Sequence, residues 1–130
     1  MAELRGRVVL ICAFQMLCEG CVTYALPQAQ RVHEGFALED VVVVGLHTVF
    51  ESHGRMGDEA LKTFLRENGY SFPVAVDAPG QLWTPRTMEK LGLQGTPSLV
   101  LVDRAGRRRM QKLGHIADDV LWREISALVG

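Results

Sequence analysis

Apolar residues along the chain follow two distinct patterns. Uninterrupted apolar runs, several rich in β-branched residues, stand at 8–14, 41–46 and 98–102, which is typical of strands buried on both faces. Elsewhere apolar residues recur three or four positions apart, as on an amphipathic helix. These patterns predict strands over 7–14, 41–46, 73–77, 98–102 and 107–113, and helices over about 18–35, 58–68, 84–91 and 118–129.

The predicted order β-α-β-α-β-α-β-β-α indicates an α/β fold, with a central mixed β-sheet and helices on both faces. We expect the last strand to be an antiparallel edge strand that follows a tight turn at 103–106. Asp58 and Asp118 are expected to cap their helices, and Pro27 to kink the first one. No linker or repeat divides the chain, so residues 1–130 are predicted to form a single domain.

Composition narrows the classes of function. The chain has 130 residues, 48% of them hydrophobic, and a formal net charge of −1, which does not favour a nucleic-acid partner. Its apolar runs are far shorter than the roughly 20 residues of a membrane span. As given, the sequence predicts a soluble, cytoplasmic monomer. If an export signal precedes it in a longer precursor, the location would be periplasmic or extracytoplasmic.

The candidate chemistry lies in Cys18-Glu19-Gly20-Cys21, where a predicted strand passes into a helix. The amino end of a helix stabilises a thiolate, which is the reactive form of cysteine. Two cysteines at this spacing are therefore interpreted as a redox-active dithiol. The third cysteine, Cys12, lies within a strand and is interpreted as a core residue. Since only one cysteine lies outside the pair, a cysteine-rich metal site is not expected.

The CxxC motif, the later Gly95-Thr96-Pro97 and the order of elements together resemble the thioredoxin fold. Residues 4–11 and 95–106 are similar to the corresponding stretches of the TlpA/ResA-type thiol-disulfide oxidoreductases, within the redoxin family. The resemblance covers essentially the whole chain. It implies an enzyme that exchanges protein disulfides and needs neither a metal nor an organic cofactor.

The resemblance also implies roles for particular residues. Cys18 would attack a disulfide and Cys21 would resolve the mixed disulfide. Thr96 and Pro97, joined by a cis bond, would lie against the cysteines and bind substrate together with Glu19 and Gly20. The implied partners are protein disulfides or dithiols and an upstream thiol system that donates electrons.

The motif departs from the family pattern at several positions. Leu17 stands where the family has tryptophan, and Gly20 where it has proline. Pro27 follows Cys21 by six positions rather than five. Cys12 takes the place of the buried acid of thioredoxins, and the place of the glutamate of ResA-like members falls at or near Tyr24 and Ala25. Neither acid is present, so the group that handles the proton of Cys21 is unidentified.

His47 is a candidate for that proton transfer, because the loop expected to carry it follows the second strand at the edge where Cys18 should lie. A loop histidine without a role is the alternative. Tyr24 and Trp122 are interpreted as packing residues. Two other functions stay open: a redoxin-type thiol peroxidase, although no Thr or Pro directly precedes Cys18, and a Sco-like copper-binding chaperone, whose cysteines would be one residue further apart.

Overall fold

A computed structural model of the chain describes residues 6–14, 20–47, 58–76 and 97–130, and for residues 58–60, 75 and 76 it describes the backbone alone. Five strands form one sheet, and all five were predicted from the sequence. The strands are β1 (Val8–Phe14), β2 (Val41–His47), β3 (Val74–Val76), β4 (Ser98–Val102) and β5 (Arg108–Leu113). The helical elements are a π turn (Cys21–Ala25), α1 (Leu26–Gly35), α2 (Asp58–Asn68) and α3 (Asp118–Val129).

The sheet is mixed, with strand order β3-β2-β1-β4-β5. β1 pairs in parallel with β2, and β2 with β3, whereas β4 runs antiparallel to both β1 and β5. β1 is thus the central strand, which explains why its sequence is apolar without alternation. β5 is the expected antiparallel edge strand, and five of its six residues are exposed. The predicted α/β class with a central mixed sheet is confirmed.

One buried cluster joins the sheet to the three described helices. Alternate residues of β1, among them Leu10 and Cys12, share this cluster with Leu26 of α1, Leu61 of α2 and Leu121 of α3. A second buried cluster on the other β1 residues includes Val9 and Ala13. The helix predicted over 84–91 lies outside the described residues.

Glycines with positive φ angles lie at two turns where the sequence predicts them. Gly106 has φ +83°, and its N–H donates to the carbonyl of Asp103 at 3.0 Å, which closes the predicted turn before β5. Gly69 has φ +71° immediately after α2, as expected of a glycine that ends a helix.

Three local expectations were wrong. His47 is not in a loop: it is the last residue of β2 and only 1% exposed. Asp118 does not cap α3, because Ala117 holds that position and the Asp118 carboxylate turns to residues of α1. Asp58 is the first residue of α2 rather than the residue before it. The first helix departs from regular geometry through a π turn that precedes Pro27, which is the second residue of α1.

Candidate active site

The described half of the CxxC motif begins the first helical segment. Gly20 precedes the π turn with φ −63° and ψ −33°, and Cys21 is its first residue. The N–H of Leu26 donates to the carbonyl of Cys21, five positions back, which is the hydrogen bond that defines a π turn. Cys21 is fully buried. Cys18 and Glu19 lie outside the described residues.

The π turn accounts for the unusual spacing between Cys21 and Pro27. A π turn holds one more residue than an α-helical turn does, and such insertions are frequent at functional sites. Since Pro27 follows Cys21 by six positions instead of five, the extra residue is taken up inside the turn. The rest of α1 then continues as a regular helix to Gly35.

Gly20 lies directly against Pro97, which comes from a distant part of the sequence. A Cβ added to Gly20 would stand 3.2 Å from Cδ of Pro97 and 3.7 Å from its Cγ. Pro97 is itself buried. Glycine between the cysteines therefore lets the backbone approach the proline ring closely. The structure brings together Gly20, Cys21 and Pro97, three of the residues predicted for the site, while Thr96 lies outside the described residues.

A third segment is attached to Pro97. The N–H of Gly114 donates to the carbonyl of Pro97 at 2.8 Å, and Ser98 pairs with Leu113 at the start of β4. Gly114 has φ +92°, a conformation that favours glycine. Sequence reasoning missed this residue. The available signal was a glycine between an edge strand and the next helix.

Two aromatic side chains meet beside this segment. The ring centroids of Tyr24, on the π turn, and His115, next to Gly114, are 4.9 Å apart. Tyr24 is 52% exposed, so the interpretation of this residue as a packing residue holds only for its contact with His115. Trp122 does pack as predicted, against Phe36 and Gly35.

His47 lies on the same side of the sheet as Cys21. It pairs with Phe14 across the parallel strands, and the two ring centroids are 5.3 Å apart. Phe14 and Cys21 belong to the same buried cluster, and Phe14 is four residues before Cys18. The histidine is therefore at the predicted edge of the sheet, although it is buried and held by a strand.

Polar contacts fix α1 against α3. Gln28 is 1% exposed, and its Nε2 donates to the carbonyl of Ile116 at 2.7 Å and to Oδ1 of Asp118 at 2.8 Å. Arg31 forms two further hydrogen bonds, both 2.9 Å, to the same carboxylate. These bonds, first from Arg31 and then from Gln28, hold the pKa of Asp118 below its usual value. The helix that carries Cys21 is thus anchored one turn beyond the π turn.

Comparison with solved structures identifies the family. A crystal structure of the thioredoxin-like superfamily protein SPOA0173 matches with 49% identity and a TM-score of 0.96 over 99% of this chain and 84% of that one. A thiol-disulfide isomerase from Corynebacterium glutamicum matches with 48% identity, a TM-score of 0.96 and the same coverage. The chain belongs to the thioredoxin-like superfamily.

More distant members share the fold. A thiol:disulfide interchange protein DsbE from Chlorobium tepidum matches with 23% identity and a TM-score of 0.81, over 99% of this chain and 84% of that one. Neither the family models nor the curated protein sequences that were searched gave a match. The predicted resemblance is confirmed, and this thioredoxin-like protein is a thiol-disulfide oxidoreductase.

Cys12 lies in the core of this thioredoxin-like domain, as predicted. It is fully buried and shares its cluster with Cys21. Burial raises the pKa of Tyr70, and a smaller electrostatic contribution in the same direction comes from Cys12. A thiol therefore occupies the core position where the thioredoxin resemblance places an acid.

Within 6–14, 20–47, 58–76 and 97–130, no group of three or more His, Cys, Asp or Glu side chains is arranged to hold a metal ion. None of the helices in these ranges is long and apolar enough to cross a membrane.

Proposed function

We propose that this thioredoxin-like protein exchanges disulfides with protein substrates through Cys18 and Cys21. The observation that carries the proposal is the contact between Gly20 and Pro97, which sets the second half of the CxxC motif, at the start of a helix, against the residue expected to bind substrate. The 48% identity to a thiol-disulfide isomerase supports the same chemistry.

The reaction proceeds in two exchange steps. The Cys18 thiolate attacks one sulfur of a substrate disulfide, forms a mixed disulfide and releases the other substrate sulfur as a thiolate, which takes a proton from solvent. The Cys21 thiolate then attacks the Cys18 sulfur and releases the remaining substrate thiolate. The substrate gains two electrons, and Cys18 and Cys21 end as a disulfide. An upstream thiol system returns the pair to the dithiol, and in the reverse direction the protein oxidises its substrate.

The residues around the contact between Gly20 and Pro97 bind the substrate and do not exchange electrons with it. We assign substrate binding to Thr96 and Pro97, together with Glu19 and Gly20. Because Gly20 has no side chain, its backbone and the Pro97 ring lie in contact, and an extended polypeptide would bind beside this contact, next to the cysteines. Neither a metal nor an organic cofactor takes part in these steps.

Reduction of insulin by dithiothreitol tests the proposal. The wild-type protein should accelerate it, Cys18→Ser should fall to the uncatalysed rate, and Cys21→Ser should accumulate the mixed disulfide. Cys12→Ser is the matched control and should keep the activity. Peroxide consumption and copper(I) titration, measured on the same variants, test the thiol peroxidase and copper chaperone alternatives. Insulin reduction at the uncatalysed rate by the wild-type protein would refute the proposal.

His47 is the residue we propose for accepting the proton of Cys21. Cys21 is fully buried and must lose its proton before it attacks, and His47 is a buried imidazole on the same side of the sheet. His47→Gln should slow release of the mixed disulfide and leave the first attack nearly unchanged. Single-turnover rates of both steps across about pH 5–8, where histidine titrates, measure this.

His33→Gln is the control for this substitution, because His33 lies on α1 beside Phe72, with ring centroids 6.4 Å apart. It should leave both steps unchanged. If His47→Gln releases the mixed disulfide as fast as the wild-type protein, the proton goes directly to solvent and His47 has only a packing role.

A further inference from the structure

The π turn, with its extra residue, forms part of the surface next to Cys21. Within the turn Cys21 and Ala25 are buried, whereas Thr23 and Tyr24 between them are exposed. The ring of Tyr24 then reaches His115, on a different segment of the chain. Tyr24 thus links the helix that carries Cys21 to the loop that precedes α3.

This contact lies close to Pro97. His115 follows Gly114, whose N–H is bonded to the carbonyl of Pro97 at 2.8 Å. Tyr24 is three residues from Cys21 and four from Gly20, which touches Pro97. The two rings therefore adjoin the place where a substrate polypeptide would meet the cysteines.

Exposed apolar side chains concentrate at the same place. Among the described residues three large hydrophobic side chains are exposed: Tyr24 at 52%, Leu113 at 53% and Leu38 at 56%. Leu113 pairs with Ser98, next to Pro97. Leu38 lies in the connection before β2, where β1 and β2 begin, at the other end of the strands. Two of the three thus adjoin the proposed substrate site, and exposed apolar groups beside a site commonly bind a partner.

We propose that Tyr24 and His115 determine specificity: they contact the side chain next to the substrate cysteine and favour a large apolar or aromatic residue there. A flat phenol ring and an imidazole can cover such a side chain on one side, and Leu113 adds apolar surface nearby. The inference rests on the proposed disulfide exchange, and it adds the kind of polypeptide that the protein accepts.

Two short peptides that differ in one residue test this. Each carries one cysteine in a disulfide with thionitrobenzoate, flanked in one peptide by phenylalanine and in the other by glycine. Release of thionitrobenzoate is followed in single turnovers against peptide concentration. The wild-type protein should reach half-saturation at about fivefold lower concentration with the phenylalanine peptide, as expected if a small apolar area is buried.

Tyr24→Ala and His115→Ala should each lower the ratio of the two half-saturating concentrations, glycine peptide over phenylalanine peptide, towards one. The maximal rate should stay unchanged. Tyr24→Phe should restore it, because the ring rather than the hydroxyl makes the contact. Leu38→Ala is the matched control: it removes an equally exposed apolar side chain elsewhere and should keep the full preference. A preference retained in both Tyr24→Ala and His115→Ala would overturn the proposal.

A second measurement separates this inference from the proposed function. Peptides with serine in place of cysteine cannot react, and their binding to the protein is followed by the NMR signals of the His115 ring. The phenylalanine peptide should shift these signals more than the glycine peptide does. If the wild-type protein releases thionitrobenzoate no faster than Cys18→Ser, the proposed disulfide exchange is refuted, whatever the NMR signals show. If both serine peptides shift the His115 signals equally, only the proposed specificity is refuted.

Discussion

At the scale of the residue, Gly20 can lie against Pro97 because it has no side chain. Its φ of −63° is open to any amino acid, so backbone strain does not require glycine there. The requirement is steric, because a Cβ would approach Cδ of Pro97 to 3.2 Å. That distance is shorter than nearly all ordinary Cβ contacts, so one of the two segments would have to move by a few tenths of an ångström.

Gly20→Ala should therefore lower the rate of disulfide exchange without destabilising the fold. Displacing a reacting group by 1 Å can cost about a hundredfold in rate, so a few tenths of an ångström should cost about two- to tenfold. Alanine is also the better helix former, which favours an unchanged or slightly higher free energy of unfolding. Insulin reduction and urea denaturation measure the two effects.

The control for this prediction is a double-mutant cycle with Pro97→Ala. Pro97→Ala by itself should weaken exchange and leave the fold largely intact. In that background the proline ring is gone, so adding Gly20→Ala should cost little more. Fully additive losses would show that the contact between Gly20 and Pro97 does not cause the effect.

The two cysteines of the motif should differ in reactivity. Cys21 is fully buried in the structure, whereas Cys18, by its place before the helix, is predicted to be the exposed thiolate. Iodoacetamide at neutral pH should thus label Cys18 of the reduced protein first, as read by peptide mass spectrometry. Earlier labelling of Cys21 would reverse the proposed roles, and Cys12 serves as the internal buried reference.

At the scale of the element, the first helix is held at two points. Gly20, directly before its π turn, lies against Pro97, and one turn beyond the π turn Gln28 and Arg31 fix α1 to Asp118 of α3. The helix that carries Cys21 is thereby positioned by contacts with other segments more than by its own caps, because neither Gly20 nor Ala25 makes a side-chain capping bond.

The link between α1 and α3 predicts a pH dependence of stability. The pKa of Asp118 is lowered in the folded protein, chiefly by Arg31, so its contribution is present above the unfolded value of about 3.9 and is lost as pH falls through the lower folded value. Because both side chains are about half exposed, we expect only about 0.5–1 kcal/mol. Asp118→Asn should lose this at pH 6, and its stability should approach that of the wild-type protein as the pH falls towards 2.5.

Asp119→Asn is the control for the pH prediction, since Asp119 carries the same charge in the same turn of α3. Urea denaturation of the three proteins from pH 2.5 to 6 measures the differences. Equal losses at pH 6 in Asp118→Asn and Asp119→Asn would mean that the helix dipole, rather than the bonds to Arg31 and Gln28, accounts for the effect.

At the scale of the whole molecule, helices from three parts of the chain share one core with β1. Cys12 and Cys21 lie in that core together, although they are nine positions apart in sequence. Tertiary packing thus places the Cys12 thiol in the same buried cluster as Cys21, the second cysteine of the motif.

We predict that the oxidised protein pairs Cys18 with Cys21 and leaves Cys12 reduced. Cys18 and Cys21 are three positions apart in one motif, whereas Cys12 is held within the paired part of β1, between partners on β2 and β4. Non-reducing peptide mass spectrometry after oxidation by glutathione disulfide identifies the bridge. A bridge that contains Cys12 would contradict the proposed resolving step.

The sequence by itself determined the strands, the order of elements and the dithiol at the start of a helix. These features follow from local apolar patterns and short-range spacing, which each segment carries whatever its surroundings. The sequence also contains the additional position between Cys21 and Pro27, but it does not show that this position forms a π turn.

Tertiary structure decided the rest. Only the packed chain turns the additional residue into a π turn, buries His47 in β2, directs Asp118 to Arg31 and Gln28, and sets Tyr24 against His115. Apart from the π turn, whose hydrogen bond joins Leu26 to Cys21, each of these is a contact between segments distant in sequence. Its energy depends on distances and directions that arise only when the sheet has paired and the helices have packed on it, so no local pattern contains it.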